Sequence, residues 1–177
     1  MRPPSPVPDS GVSRRALLRW AALGGLGTLA VAGLSWAAVP LVTGSAAGFG
    51  GAVDAGTLDS IASGRVKRFP AGKFWLSRYV EPALGDREVL LALYWKCAHL
   101  GCTVDWVPQL KLGGVTGLFR CPCHGSIYAR SGQNIAGPTL RPLDIMALRL
   151  DGGRIWVDTG RISQRIQYDP QQATVIV

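Results

Sequence analysis

Two six-residue stretches hold every cysteine and every histidine of this chain: CAHLGC at positions 97–102 and CPCHGS at 121–126. Four thiols and two imidazoles confined in this way constrain the fold strongly, because whatever uses them must bring both stretches to one place. Each stretch follows an apolar run, VLLALYW (89–95) and GLFR (117–120), that reads as a strand. Both therefore belong to loops at strand ends, and two such loops can meet at one tip of a β-sandwich.

The surrounding sequence predicts the same class. From Asp54 onward, short β-rich runs alternate with turn signals: RVKRF (65–69), KFWLSRYV (73–80), SIYA (126–129), LDIMALRL (143–150) and RIWVDT (154–159) join the two strands above. Pro70-Ala71-Gly72, Gly85-Asp86, Gly113-Gly114, Ser131-Gly132 and Asp151-Gly152-Gly153 punctuate them. This is the pattern of an antiparallel all-β domain, with at most one helical turn at 56–63. VPQLKLGGVT (107–116) reads as a surface hairpin inserted between the two cysteine-bearing loops. The tail from Arg165 ends apolar and fits docking either on the sandwich or on a partner.

The formal net charge is +8, yet Arg2, Arg14, Arg15 and Arg19 against Asp9 already supply +3 of it before residue 50. No basic run of five follows, and aromatics do not interleave with Lys and Arg on one stripe, which disfavours a nucleic-acid partner.

The amino-terminal third is apolar. After SRRALLR (13–19) no charge occurs until Asp54, and a core from about Trp20 to Val42 is long enough to span roughly 30 Å of hydrocarbon as a helix. That exceeds the core of a cleaved signal peptide. Trp20 and Trp36 near its ends suit the interfaces, and the preceding arginines place the amino terminus in the cytoplasm and the remainder outside. Ser13-Arg14-Arg15 before a glycine-containing apolar core resembles a twin-arginine export signal, with Leu17 where that pattern carries Phe and Arg19 where it carries Lys. GSAAGFGGAVDAG (44–56), with five glycines and no proline, is expected to be a flexible tether with a span of about 20 Å.

Cys97 and His99 are one residue apart and Cys121 and His124 two, so each loop offers one thiolate and one imidazole, with Cys102 and Cys123 left over. A Cys₂His₂ zinc site is one reading, although its usual spacing pairs cysteine with cysteine and histidine with histidine. Two disulfides are another, and they leave both histidines unexplained. The reading that uses all six is a 2Fe-2S cluster with two thiolates on one iron, two imidazoles on the other, and the remaining cysteines joined.

C-x-H-x-G-C and C-P-C-H-G-S resemble the two signature boxes of the Rieske iron-sulfur family. The resemblance implies that Cys97 and Cys121 ligate the inner iron and His99 and His124 the outer one, and that Cys102 and Cys123 form the disulfide joining the loops. It implies that Ser126 and Tyr128 donate hydrogen bonds to a bridging sulfide and a cysteine sulfur, and that Leu100 covers the cluster. Gly137-Pro138-Thr139-Leu140 falls where the family carries a proline-rich lid, with Leu140 in place of the usual second proline.

The fold so implied is a Rieske-type antiparallel β-sandwich with a cluster-binding subdomain at about 96–142, preceded by one N-terminal transmembrane helix. The organisation is a cytoplasmic segment with the twin-arginine motif (1–19), an anchor (20–43), a tether (44–56) and the Rieske domain (57–177). That order is similar to the Rieske subunit of a cytochrome bc-type complex. Such a subunit takes an electron and a proton from quinol, with His99 or His124 receiving the proton, and passes the electron to a c-type cytochrome beside cytochrome b. It is held in the cell membrane by a single span with its head on the extracytoplasmic face. No catalytic triad, phosphate loop or paired-carboxylate signal occurs, so quinol:cytochrome c oxidoreductase activity belongs to the assembled complex and the isolated chain is an electron carrier. The Rieske subunit of a molybdenum enzyme such as arsenite oxidase, a Rieske ferredoxin and a zinc-held binding module are the alternatives.

Overall fold

A computed structural model describes residues 48–176. The expected leader, twin-arginine motif and anchor, and the tether up to residue 47, lie outside the described residues. Among the described residues no helix is long and apolar enough to cross a membrane.

The described chain is all-β, as expected, with three single 3₁₀ turns and no α-helix. In chain order the strands are β1 (Ala52–Thr57), β2 (Val66–Phe69), β3 (Phe74–Glu81), β4 (Arg87–Tyr94), β5 (Asp105–Leu112), β6 (Val115–Arg120), β7 (Ile127–Tyr128), β8 (Asn134–Ala136), β9 (Ile145–Asp151), β10 (Arg154–Ser163) and β11 (Thr174–Val175). One antiparallel sheet has the order β1-β10-β9-β4-β3-β2, with β11 paired to β4; a second, smaller sheet has the order β5-β6-β7-β8.

The hub is β4, whose sequence REVLLALY lacks a polar face because both of its faces are buried. Successive side chains of a strand point to opposite sides. Val89, Leu91 and Leu93 enter a core with Trp75, Tyr79, Val104, Phe119 and Tyr128, which lies against the small sheet. Leu90 and Ala92 enter another with Phe74, Leu76, Val53, Ile155 and Val157, where the large sheet curls over itself. Leu90 and Leu93 are fully buried, and truncating either to alanine is expected to cost about 2–5 kcal/mol. Because β4 and β6 are both fixed in this interior, the loops that leave their carboxyl ends start from rigid points.

The region 107–116 is the hairpin the sequence predicts, closing at Gly113-Gly114 between β5 and β6. One boundary requires correction. Residues 52–56, assigned to the tether, form β1, which pairs with β10 at Ala52↔Asp158, Val53↔Val157 and Asp54↔Trp156. Val53 and Ala55 turn inward and are buried, so the stretch has a short in-out alternation that its glycine-rich composition conceals. Residues ahead of it are fastened too: the Gly50 and Gly51 amides donate to the Thr159 hydroxyl at 2.8 and 3.2 Å. The head therefore begins before residue 57.

The tail docks on the sandwich. β11 pairs with β4, the Ile176 amide donates to the Glu88 carbonyl at 2.9 Å, and Arg165 is 1% exposed.

Candidate metal centre

The two cysteine-bearing loops are folded alike. In the first, the Cys97 amide donates to the Cys102 carbonyl at 2.7 Å and the Gly101 amide to the Cys97 carbonyl at 2.9 Å. In the second, the Cys121 amide donates to the Ser126 carbonyl at 2.8 Å and the Gly125 amide to the Cys121 carbonyl at 3.1 Å. Both turns place a glycine in the left-handed region four residues after the leading cysteine, Gly101 at φ 78° and Gly125 at φ 74°, where a side chain would be strained. This shared geometry points each leading cysteine inward and each histidine outward.

The loops are joined by a disulfide between Cys102 and Cys123, as the resemblance implies. Cys97 and Cys121 remain free and buried, with the Cys121 sulfur within 4.8 Å of both sulfurs of the bridge. The His99 and His124 rings stand nearly perpendicular with centroids 4.9 Å apart. Two free thiols and two imidazoles are thus gathered at one tip, and the reading in which all four cysteines pair as disulfides is excluded.

The remaining polar groups follow the same pattern. The Ala98 amide donates to the Tyr128 hydroxyl at 3.2 Å, which leaves the phenol hydrogen for Cys97 Sγ at 3.1 Å. Burial, then the neighbouring Cys97, raises the Tyr128 pKa, so the phenol stays a donor. Burial pushes the Cys97 thiol up, but hydrogen bonds from Tyr128 and the His99 amide are among those that outweigh it and hold Cys97 below the usual thiol range. At Cys121 burial prevails and the thiol lies above that range.

Of the nine buried side-chain polar atoms without a partner among the described residues, two belong to the cysteine-bearing loops: His99 Nδ1 and Ser126 Oγ. Leaving such groups unpaired is costly. An iron bound at Nδ1 and a sulfide accepting from Ser126 would satisfy both, so the donor set and its orphaned atoms fit a 2Fe-2S cluster.

Leu100 stands beside His99 and is 71% exposed, and Leu140 is 97% exposed. The lid does lie against the second loop: a Cβ on Gly137 would come within 2.5 Å of Ser126 Cα and 3.0 Å of the Gly125 carbonyl oxygen. Thr139 is buried in that lid and donates to the Arg141 carbonyl at 3.4 Å. A separate cleft of about 500 Å³, lined by Tyr79, Glu81, Val115, Arg130 and Tyr168 among others, contains none of the cysteines or histidines.

Residues 60–147 match the family model described as the Rieske 2Fe-2S domain. The "Cytochrome b6-f complex iron-sulfur subunit" of Synechococcus sp. is 44% identical over 59 residues, 33% of this chain and 31% of that protein. The "Cytochrome b6-f complex iron-sulfur subunit 2, chloroplastic" of Nicotiana tabacum is 34% identical over 174 residues, covering 86% of this chain and 70% of that one. The "Menaquinol:cytochrome c reductase iron-sulfur subunit" of Geobacillus thermodenitrificans is 36% identical over 73 residues, 41% of each chain. The chain spans about a third of the length of the first of these relatives.

Proposed function

The chain belongs to the Rieske 2Fe-2S family, and from that premise we propose that it is the electron-transfer subunit of a cytochrome bc-type complex, taking an electron and a proton from quinol and passing the electron to a c-type cytochrome. One 2Fe-2S cluster is the family's cofactor. When bound it supplies a one-electron acceptor whose potential is raised by having neutral imidazoles in place of two thiolates.

The observation that carries the reading is the pair of histidines at the tip, next to an orphaned Nδ1 and beside a disulfide that locks the two loops together. Cys97 and Cys121, free and buried, would hold one iron of the cluster, and His99 and His124 the other. His124 is exposed and His99 half-buried; in this reading the ring nitrogen of each that does not bind iron accepts a hydrogen bond from a quinol hydroxyl and takes its proton. Tyr128 donates to Cys97 Sγ, and the unpartnered Ser126 hydroxyl would donate to the bound cluster; such donors stabilise its reduced state. Leu100 shields the tip from water.

The relatives' names support this reading, since each is the iron-sulfur subunit of a cytochrome b6-f complex or of a menaquinol:cytochrome c reductase. Anchorage in the cell membrane by the apolar segment 20–43, with the head on the extracytoplasmic face, follows from the arginines ahead of that segment. It agrees with the disulfide, which needs an oxidising compartment. The short stretch 44–47, ahead of the glycines fastened to Thr159, then serves as the tether on which the head moves between quinol and cytochrome.

The test is isolation of the tagged full chain from detergent-solubilised membranes. Co-purification of b- and c-type haem, with quinol-driven cytochrome c reduction that His124→Gln abolishes, is expected; a molybdopterin subunit in place of a b-type cytochrome would overturn the assignment.

A further inference from the structure

Each cysteine-bearing loop is entered through a cation: Lys96 precedes Cys97 and Arg120 precedes Cys121. Arg68, exposed on the edge strand β2, lies 5.3 Å from the ring of Trp95 and 5.4 Å from that of Trp75, and Trp95 leads directly into the first loop. Among the described residues none of these three cations is ion-paired, whereas Glu88, Asp144, Asp151 and Asp54 pair with other arginines. The acid closest in register is Asp105, opposite Arg120 across the β5–β6 ladder.

The imbalance is a property of this part of the head. Residues 95–142 carry five basic residues, Lys96, Lys111, Arg120, Arg130 and Arg141, against the single acid Asp105, whereas the rest of the described chain carries ten basic residues against nine acidic ones. The same stretch carries two of the most exposed large apolar side chains, Leu100 and Leu140, at 71% and 97%. Both flank the histidine-bearing loops: Leu100 adjoins His99, whose ring lies 4.9 Å from that of His124, and Leu140 follows by three residues the Gly137 that packs on Ser126 of the second loop. An apolar centre with a charged rim is the anatomy of a transient protein interface.

We propose that this tip docks on an electron acceptor whose own surface is apolar at the contact and acidic around it, with Leu100 and Leu140 in the centre and Lys96, Arg120 and Arg68 facing carboxylates. The inference rests on the proposed function in that the partner is the protein that receives the electron, and it adds the chemistry by which that partner is recognised. Opposite rims steer encounter and set orientation, and their effect weakens as salt shortens the screening length.

The experiment is stopped-flow oxidation of the reduced, cluster-loaded full chain in detergent by an acidic and by a basic c-type cytochrome of similar potential, from low to high ionic strength. With the acidic cytochrome the second-order rate should fall by about tenfold or more, and with the basic one it should start lower and rise. Replacing Lys96, Arg120 and Arg68 together by glutamine should flatten the salt dependence. Lys111→Gln, at the turn end of the β5–β6 hairpin, should leave it nearly intact. The slope against salt is the readout, because a change in driving force scales the rate alike at every ionic strength. A rate independent of salt, or a preference for the basic cytochrome, overturns the acidic-partner inference and leaves the proposed function standing. Failure to reduce either cytochrome overturns the proposed function itself.

Discussion

The Tyr128 hydroxyl lies 3.1 Å from Cys97 Sγ while accepting the Ala98 amide at 3.2 Å. With its oxygen occupied by that amide, the phenol has one hydrogen to give, and the sulfur is its acceptor. Tyr128→Phe is therefore expected to keep the cluster and lower its reduction potential, by the equivalent of about 1–2 kcal/mol for one hydrogen bond to a charged group. Ser126→Ala should act in the same direction. Redox titration of each variant checks this, and an unchanged potential in both would show that neither hydroxyl reaches the cluster.

The Cys102–Cys123 bridge closes a loop with a sequence separation of 21, which contributes about 3 kcal/mol against unfolding in the chain-entropy account. Replacing both cysteines by serine should lower the melting temperature and shorten the lifetime of the cluster in air, measured by loss of visible absorbance. The loops would still form, because their internal hydrogen bonds do not involve the sulfurs.

At Gly137 a methyl group would overlap Ser126 Cα and crowd the Ser126 nitrogen at 2.9 Å, and the residue sits at φ 94°. Gly137→Ala should push the lid off the second loop without disturbing the large sheet. The expected signature is faster amide exchange confined to about residues 125–140, together with a more labile cluster. Exchange indistinguishable from wild type would mean that the lid tolerates displacement.

Arg165 is 1% exposed. It donates from Nε to Gln172 Oε1 at 2.8 Å and from Nη1 to the Ser131 carbonyl at 2.9 Å, so it ties the tail to the lower end of the cluster sheet. Burial lowers its pKa. Arg165→Met would leave those acceptors unpaired and should destabilise the head by roughly 2–3 kcal/mol, read by denaturant unfolding. The tail should then be cut first by added protease.

Much of this was legible in the sequence, for chemical reasons. Cysteine and histidine are the residues that bind iron, and their confinement to two boxes marks the site before any fold is known. Gly101 and Gly125 fit because each loop needs a left-handed residue at that place. The apolar run of β4 and the Gly113-Gly114 turn announced a buried strand and a hairpin. What escaped notice depends on distant partners. β1 has only Val53 and Ala55 to show its inward face, and its pairing is supplied by β10. β8 and β11 are three and two residues long and exist through neighbours remote in sequence. The burial of Arg165 has no local signal either, because its acceptors, the carbonyl of Ser131 and the amide oxygen of Gln172, are brought to it only by folding.

The most direct test of the central claim is an EPR-monitored redox titration of the cluster-loaded full chain in detergent, repeated across pH. With Cys97, Cys121, His99 and His124 as ligands, the spectrum should be that of a mixed-ligand 2Fe-2S centre. Its potential should be high, and it should fall as pH rises through the range in which an imidazole titrates. A low, pH-independent potential would contradict proton-coupled oxidation of quinol, and zinc in place of iron in correctly matured protein would contradict the cluster itself.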